Sequence, residues 1–258
     1  MPHAPTPARP SPCRLGVPRI YTDLPLQLAE TISLPKQSSQ HLVRVLRLKP
    51  GAELILFNGQ GGEYAARLER IEQGKTAVLV LEKFNDRDAE SQLITTLALG
   101  ISRGERMDYA IQKAVELGVS HIVPLFTQFC VVSIGKEREE KRLAHWRGII
   151  TSACEQSGRT RLADITAPQA LYDWLTQPQT GLKLLFDPYT DQRLSELPKP
   201  TSDVCILIGP EGGLSDTETA AAQQAGFIAV QLGPRMLRTE TAPVAALSAI
   251  QTLWGDFH

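Results

Sequence analysis

The sequence predicts an α/β fold, a mostly parallel sheet with helical crossovers, preceded by a small β-barrel. Three observations carry this. From residue 93 onward, apolar runs of strand length alternate with segments of helical period, as parallel sheets require. Before residue 85 the runs are strand-like and are separated by the turns GQGG (59–62) and EQGK (72–75), the pattern of a meander. Between the two regimes lies a polar break, NDRDAESQ (85–92).

The elements follow in order. RIYTD (19–23) and AETISLP (29–35) read as short extended pieces. SSQHLVRVLRLKPG (38–51) predicts one helix with Leu42, Val45, Leu46 and Leu48 on its apolar side, stopped by Pro50–Gly51. ELILFNG, GEYAARLERI and KTAVLVLEKF complete a barrel over 18–84. In the second part LITTLALGI is a strand. RGERMDYAIQKAVELG is an amphipathic helix with Met107, Ile111, Ala114 and Val115 on one side, ended by Gly118. HIVPLF is the next strand, and 136–157 a long helix carrying Leu143, Trp146, Ile149, Ile150 and Ala153 at helical spacing. LKLLFDP and VCILIGPEGG read as buried strands. SDTETAAAQQAG is a helix with Ser215 as N-cap and Glu218 completing a capping box. FIAVQLGP is a strand and APVAALSAIQTLWG a last helix, too apolar all round for a free surface. The expected domains are thus a Pro-rich disordered tail (1–17), the barrel (18–84), a linker (85–92) and the α/β domain (93–258).

Composition narrows the function. A chain of 258 residues with 42% apolar and 21% charged residues suits a globular protein. Its net charge of −1 means that any nucleic-acid contact rests on local patches. Cys13, Cys130, Cys154 and Cys205 show no CxxC spacing, so a zinc site or redox pair is not expected. Scattered thiols without a signal peptide point to a reducing cytoplasm. No run approaches the roughly 18–20 apolar residues of a membrane span.

In open α/β sheets ligands bind beyond the carboxyl ends of strands. Three such ends stand out: FDPY (186–189), IGPEGG (208–213) and LGPRMLRTETA (232–242). No GxxxxGK[ST] occurs, and IGPEGG is not GxGxxG: it carries an acid where a pyrophosphate needs bare amides. Alone, IGPEGG could be no more than a tight turn. Likewise, LGPRMLRTETA could be a salt-bridged turn with Thr241 capping a helix before Pro243. Together, two adjacent Gly-Pro turns with a pair of arginines and no metal ligands suggest a pocket for a polar organic cofactor.

LIGPEGGLSDTE followed by LGPRMLRTETA resembles the signature of the SPOUT methyltransferases, and within them the RsmE family, which methylates N3 of a uridine in 16S ribosomal RNA. PRIY (18–21), HLVRVLR (41–47), SRGERMDYAIQKAVELGV (102–119) and ACEQSGRTR (153–161) carry the resemblance from Pro18 to the C-terminus. The departures are the Pro-rich tail and Ala163, where many relatives have proline.

The resemblance implies a PUA-like RNA-binding barrel and a deep trefoil knot that holds S-adenosylmethionine. Cofactor contacts are then expected from Phe186 and Pro188; from Ile208, Gly209, Pro210, Glu211, Gly212 and Gly213; and from Leu232, Gly233, Leu237, Thr239, Thr241 and Ala242. The glycines would let backbone approach adenosine closely, and Glu211 could hydrogen-bond backbone amides. Uracil N3 must lose a proton, so Arg235 or Arg238 is expected to stabilise charge on O2 and O4, and Glu240 to act as base or as an arginine's ion-pair partner. RNA contacts are expected from His41, Arg44, Arg47 and Lys49, from Arg103 and Arg106, and from Arg159 and Arg161. A homodimer that completes its active sites across subunits is implied as well, and no metal. Ribose 2′-O methylation and a non-catalytic assembly factor are the competing readings. A nucleotide-dependent oxidoreductase lacks its fingerprint.

Overall fold

The computed structural model describes residues 16–73, 76–86, 88–130 and 136–257. Most of the expected tail therefore lies outside the described residues. The chain divides into two compact units. One runs to Ala89 and also takes in Glu155–Arg161; the other comprises Glu90–Cys154 and the chain from Leu162 onward. The expected linker spans the division at residue 89.

The first unit is a five-stranded sheet of β1 (Arg19–Tyr21), β2 (Thr31–Ser33), β3 (Glu53–Phe57), β4 (Glu63–Glu72) and β5 (Thr76–Asn85), ordered β1-β3-β4-β5-β2. β1 runs parallel to β3, and the other pairs are antiparallel. Ile20 and Ile32, from the two edge strands, share one core with Leu54, Leu56, Leu68, Leu79, Leu81 and Leu42. The sheet therefore curls around a single interior, a barrel left open between β1 and β2.

The helix expected over 38–51 begins earlier and stops earlier. α1 (Lys36–Gln40) passes into one π-helical turn, His41–Val45. The Leu46 N–H donates to the His41 carbonyl at 2.9 Å, and Arg47, at φ +53°, breaks the helix before Pro50 is reached. The widened turn changes which side chains face inward. Leu42 is fully buried, whereas Val45 and Leu46, expected on the apolar side, are exposed.

Glu155–Arg161 is tied to the barrel by polar contacts. The Tyr21 N–H donates to Glu155 Oε1 at 2.9 Å, and the Gly61 N–H to the Thr160 carbonyl at 3.2 Å. Arg19, buried and ion-paired with Glu63, donates to the Arg159 carbonyl at 3.2 Å. Burial pushes the Glu155 carboxyl up, although the Tyr21 bond, His41 and Arg19 oppose it.

The second unit is a wholly parallel seven-stranded sheet: β6 (Thr95–Gly100), β7 (His121–Phe126), β8 (Asp164–Ile165), β9 (Gln169–Ala170), β10 (Leu182–Phe186), β11 (Val204–Ile208) and β12 (Ile228–Val230). The order is β12-β10-β11-β6-β7-β8, with β9 also on β7. β11 is buried along its whole length, as a central parallel strand must be, which explains its unbroken apolar run. Its helices are α2 (Glu105–Glu116), α3 (Lys136–Ser157, whose last three residues count with the first unit), α4 (Leu171–Leu175), α5 (Asp216–Gln224) and α6 (Thr241–Trp254). α2 buries Met107, Ala110, Ile111, Ala114 and Val115, and packs on α6, which buries Ala246, Leu247, Ile250 and Trp254. Gln251 is buried between them, donating to the Leu117 carbonyl at 3.1 Å and accepting from Ser91 at 2.9 Å. The N-cap of α6 is Glu240, with no side-chain bond, and Thr241 is its exposed first residue rather than its cap. No helix among the described residues is long and apolar enough to cross a membrane.

Candidate active site

β12, β10 and β11 are sheet neighbours although not consecutive in sequence, so the loops that leave their carboxyl ends meet. They enclose a cavity of about 740 Å³, within the range of small-molecule sites. It is lined by Leu185–Tyr189, by Ile208–Leu214 with Asp216 and Thr219, and by residues between Val230 and Ala242. Arg235, Arg238 and Glu240 all reach it. Of the expected cofactor contacts, only Thr241 is missing from the lining: as the first residue of α6 it faces away.

The Gly-Pro loop is shaped by backbone packing. A Cβ on Gly100, at the end of β6, would lie 2.5 Å from Pro210, so a bare residue there lets the turn seat. The Gly213 N–H closes the turn on the Pro210 carbonyl at 2.9 Å, with Gly213 at φ +71°. A Cβ on Gly209 would meet Gly213 backbone at 2.8 Å, and one on Gly212 would meet Phe129 at 2.7 Å. Protein packing alone therefore requires bare residues at these two positions. Only Gly213 of the three has open space beside its Cα.

Three long-range ties fix the loops. Glu218 completes the capping box on Ser215 and also accepts the Gln128 N–H at 2.7 Å, which binds the loop after β7 to the start of α5. Ser102 and Thr239, both buried, share a hydroxyl bond of 2.8 Å. Glu211 accepts from the Arg103 N–H at 3.1 Å and the Arg106 guanidinium at 3.2 Å. Burial pushes the Glu211 carboxyl up, but these bonds outweigh it and leave it below the ordinary carboxylate value.

Arg106 is thereby placed differently from its expected role. It lines the cavity between two carboxylates, bonded to Glu211 and with Nε 4.0 Å from Glu240 Oε2. That distance is too long for a hydrogen bond, and Glu240 Oε2 is buried without a hydrogen-bond partner. A buried carboxylate oxygen left unsatisfied inside a cavity is a ready acceptor for a ligand's proton.

The expected RNA contacts fare unevenly. His41, Arg44, Arg47 and Lys49 are exposed on one short stretch, and Arg103 and Arg161 are also exposed. Arg159 is buried and cannot meet a phosphate. Residues that sequence reasoning passed over include Asp187, Tyr189 and Met236 at the cavity; they lay inside the quoted strand-end motifs. Among the described residues no group of three or more His, Cys, Asp and Glu could hold a metal.

A parallel α/β unit with a cavity at its strand ends, in one chain with a small barrel, defines the class. The family model for an RNA methyltransferase domain matches residues 89–251, and that for an RNA methyltransferase PUA domain matches 34–82. The chain is 36% identical to the ribosomal RNA small subunit methyltransferase E of Buchnera aphidicola subsp. Schizaphis graminum, over 93% of this chain and 98% of that one. It is 30% identical to the protein of the same name in Bacillus subtilis, over 87% and 91%. The chain belongs to the ribosomal RNA small subunit methyltransferase E family. Among solved structures, that enzyme from Neisseria gonorrhoeae bound to S-adenosyl methionine superposes with a TM-score of 0.88 at 40% identity, covering 94% of this chain and 100% of that one. A Legionella pneumophila protein in complex with bound SAM gives 0.90 at 39%, covering 93% and 99%.

Proposed function

We propose that this protein transfers a methyl group from S-adenosylmethionine to N3 of a uridine in 16S ribosomal RNA of the small subunit. The observation that carries the reading is the convergence of three strand-end loops on one cavity that holds both arginines and a Glu240 oxygen with no hydrogen bond. The residues suit the cofactor. Leu232, Gly233, Leu237 and Ala242 offer an apolar wall for adenine. Gly213 leaves its Cα open to the cavity, and Phe186, Pro188 and Thr239 complete the lining. When bound, the sulfonium supplies an activated methyl group.

The chain's own part is to prepare the nucleophile. Uracil N3 carries a proton at neutral pH. Glu240 Oε2, without a hydrogen bond of its own, accepts that proton directly or through water. Negative charge then spreads to uracil O2 and O4, where Arg235 or Arg238 stabilises it. The Arg106 guanidinium lies beside Glu240, with Nε 4.0 Å from Oε2. His41, Arg44 and Arg47 supply backbone contacts from the barrel.

The same reading includes a homodimer, a cytoplasmic location and a deep trefoil knot. The knot rests on the family likeness; after β12 the Gln231 N–H bonds the Gln192 carbonyl at 2.9 Å, so the chain continues against the 187–203 segment. The test is methyl transfer to small ribosomal subunits from cells lacking the enzyme, with nucleosides identified by mass spectrometry. N3-methyluridine is the expected product. A 2′-O-methylated nucleoside, or subunit binding with no product, overturns the assignment.

A further inference from the structure

We infer that Tyr189 is the platform on which the extruded uracil lies, a base-positioning residue at the mouth of the cavity; the inference rests on the methyl-transfer reading above. Tyr189 lines the cavity, yet 85% of its surface remains in water, more than for any other large apolar or aromatic side chain among the described residues. A ring meant for the cofactor would sit within the walls and be covered by them. A ring at the rim faces the group that arrives from outside.

Its placement is set by the backbone. The Tyr189 N–H donates to Asp187 Oδ1 at 2.9 Å, and the Asp187 N–H donates to the Val230 carbonyl at 3.0 Å, which ties the loop after β10 to β12. Pro188, between them, fixes its own φ. The loop backbone that carries the ring is therefore held before any RNA binds. Met236, 69% exposed, and the exposed Arg235 and Arg238 share the same cavity lining.

The chemistry asks for such a surface. N3 lies on the Watson–Crick edge of uracil, so the base must be unpaired, and an enzyme that works on a paired or stacked base draws it out to reach that edge. A base that leaves its stack loses stacking on both faces, and an aromatic side chain restores it on one, worth about tenfold to a hundredfold in binding. With its face on Tyr189, the base offers its edge to Glu240 and the arginines.

The test compares Tyr189→Phe, Tyr189→Leu and Tyr189→Ala for kcat/KM on unmethylated small subunits and for S-adenosylmethionine affinity by calorimetry. The side chain is exposed, so all three are expected to fold, and thermal melting checks this. Expected are near-wild-type turnover for the Phe variant, a loss of about tenfold or more for Leu and Ala, and cofactor affinity unchanged in all three. A Leu variant as active as Phe shows that bulk rather than a ring is needed, and overturns the inference. So does an Ala variant with full activity, or a loss of cofactor affinity that parallels the loss of turnover. Wild-type protein that transfers no methyl group to subunits overturns the functional reading and the platform together; active wild-type enzyme matched by Tyr189→Ala overturns the platform alone.

Discussion

Glu218 offers the sharpest test of how the Gly-Pro loop is held. Its carboxylate, 1% exposed, accepts the Gln128 N–H at 2.7 Å and the Ser215 N–H at 2.9 Å. Glu218→Ala removes both acceptors at once. A hydrogen bond to a charged group contributes about 1.5–3 kcal/mol. Gln128 is itself exposed and Ser215 half-buried, so water can partly replace the lost acceptor, and the lower end of that range applies to each. The expected loss is therefore about 3 kcal/mol for Ala. Glu218→Gln keeps one carbonyl oxygen and should lose about half as much. Urea denaturation gives the stability difference, and amide exchange at Gln128 localises it: that N–H should exchange faster in both variants. Cofactor affinity should fall as well, because the loop carrying Phe129 backs Gly212. An Ala variant within about 0.5 kcal/mol of wild type, with Gln128 exchange unchanged, would refute the idea that Glu218 joins the two loops.

Three further outcomes are expected. Glu240→Gln should lower kcat by about 10²- to 10⁴-fold, with S-adenosylmethionine affinity kept, measured by single-turnover transfer and calorimetry; unchanged kcat would leave Glu240 only a structural role. Gly100→Ala places a Cβ 2.5 Å from Pro210 and should cost about 1–3 kcal/mol of stability or displace the turn; unfolding curves and cofactor binding read the two possibilities. Glu211 has a lowered pKa, so the stability it contributes is present above its ordinary value of 4.5 and is lost as pH falls through the lower folded value. Acid titration of stability should show this loss in wild type and not in Glu211→Gln, and identical acid limbs would argue against the tie to Arg103 and Arg106.

Much of the fold was legible because its signals are local. The apolar run of β11 follows from burial on both faces, and the capping box at Ser215 and Glu218 is written within four residues. The π-turn at His41–Val45 was not legible, since Leu42, Val45, Leu46 and Leu48 satisfy an ordinary helical period until one widened turn rotates Val45 and Leu46 into solvent. The short β8, β9 and α4 carry too few residues for a period to show. At the site, the three strand-end motifs could be read, but the partners of their charges could not. Arg106 and Glu211 lie 105 residues apart, and no spacing rule links them. Arg159 illustrates the converse error: a basic residue in a polar stretch reads as surface, yet the Glu155–Arg161 segment is drawn into the barrel and buries it.

Sheet order is what turns these scattered motifs into one site. The chain visits β6, β10, β11 and β12 in that sequence, but the sheet sets them side by side as β12-β10-β11-β6. Because every pair is parallel, all four carboxyl ends open on the same edge. The loop after β6 then brings Arg106 on the first turn of α2, the loop after β10 brings Asp187 and Tyr189, the loop after β11 brings Glu211, and the loop after β12 brings both further arginines and Glu240. A carboxylate on one loop therefore finds its guanidinium on another, and the loops hold one another in place through charge as well as packing. It follows that the reacting groups cannot be tuned singly. A change at Arg106 acts on Glu211 and Glu240 together, so effects of substitutions at these three positions should be non-additive.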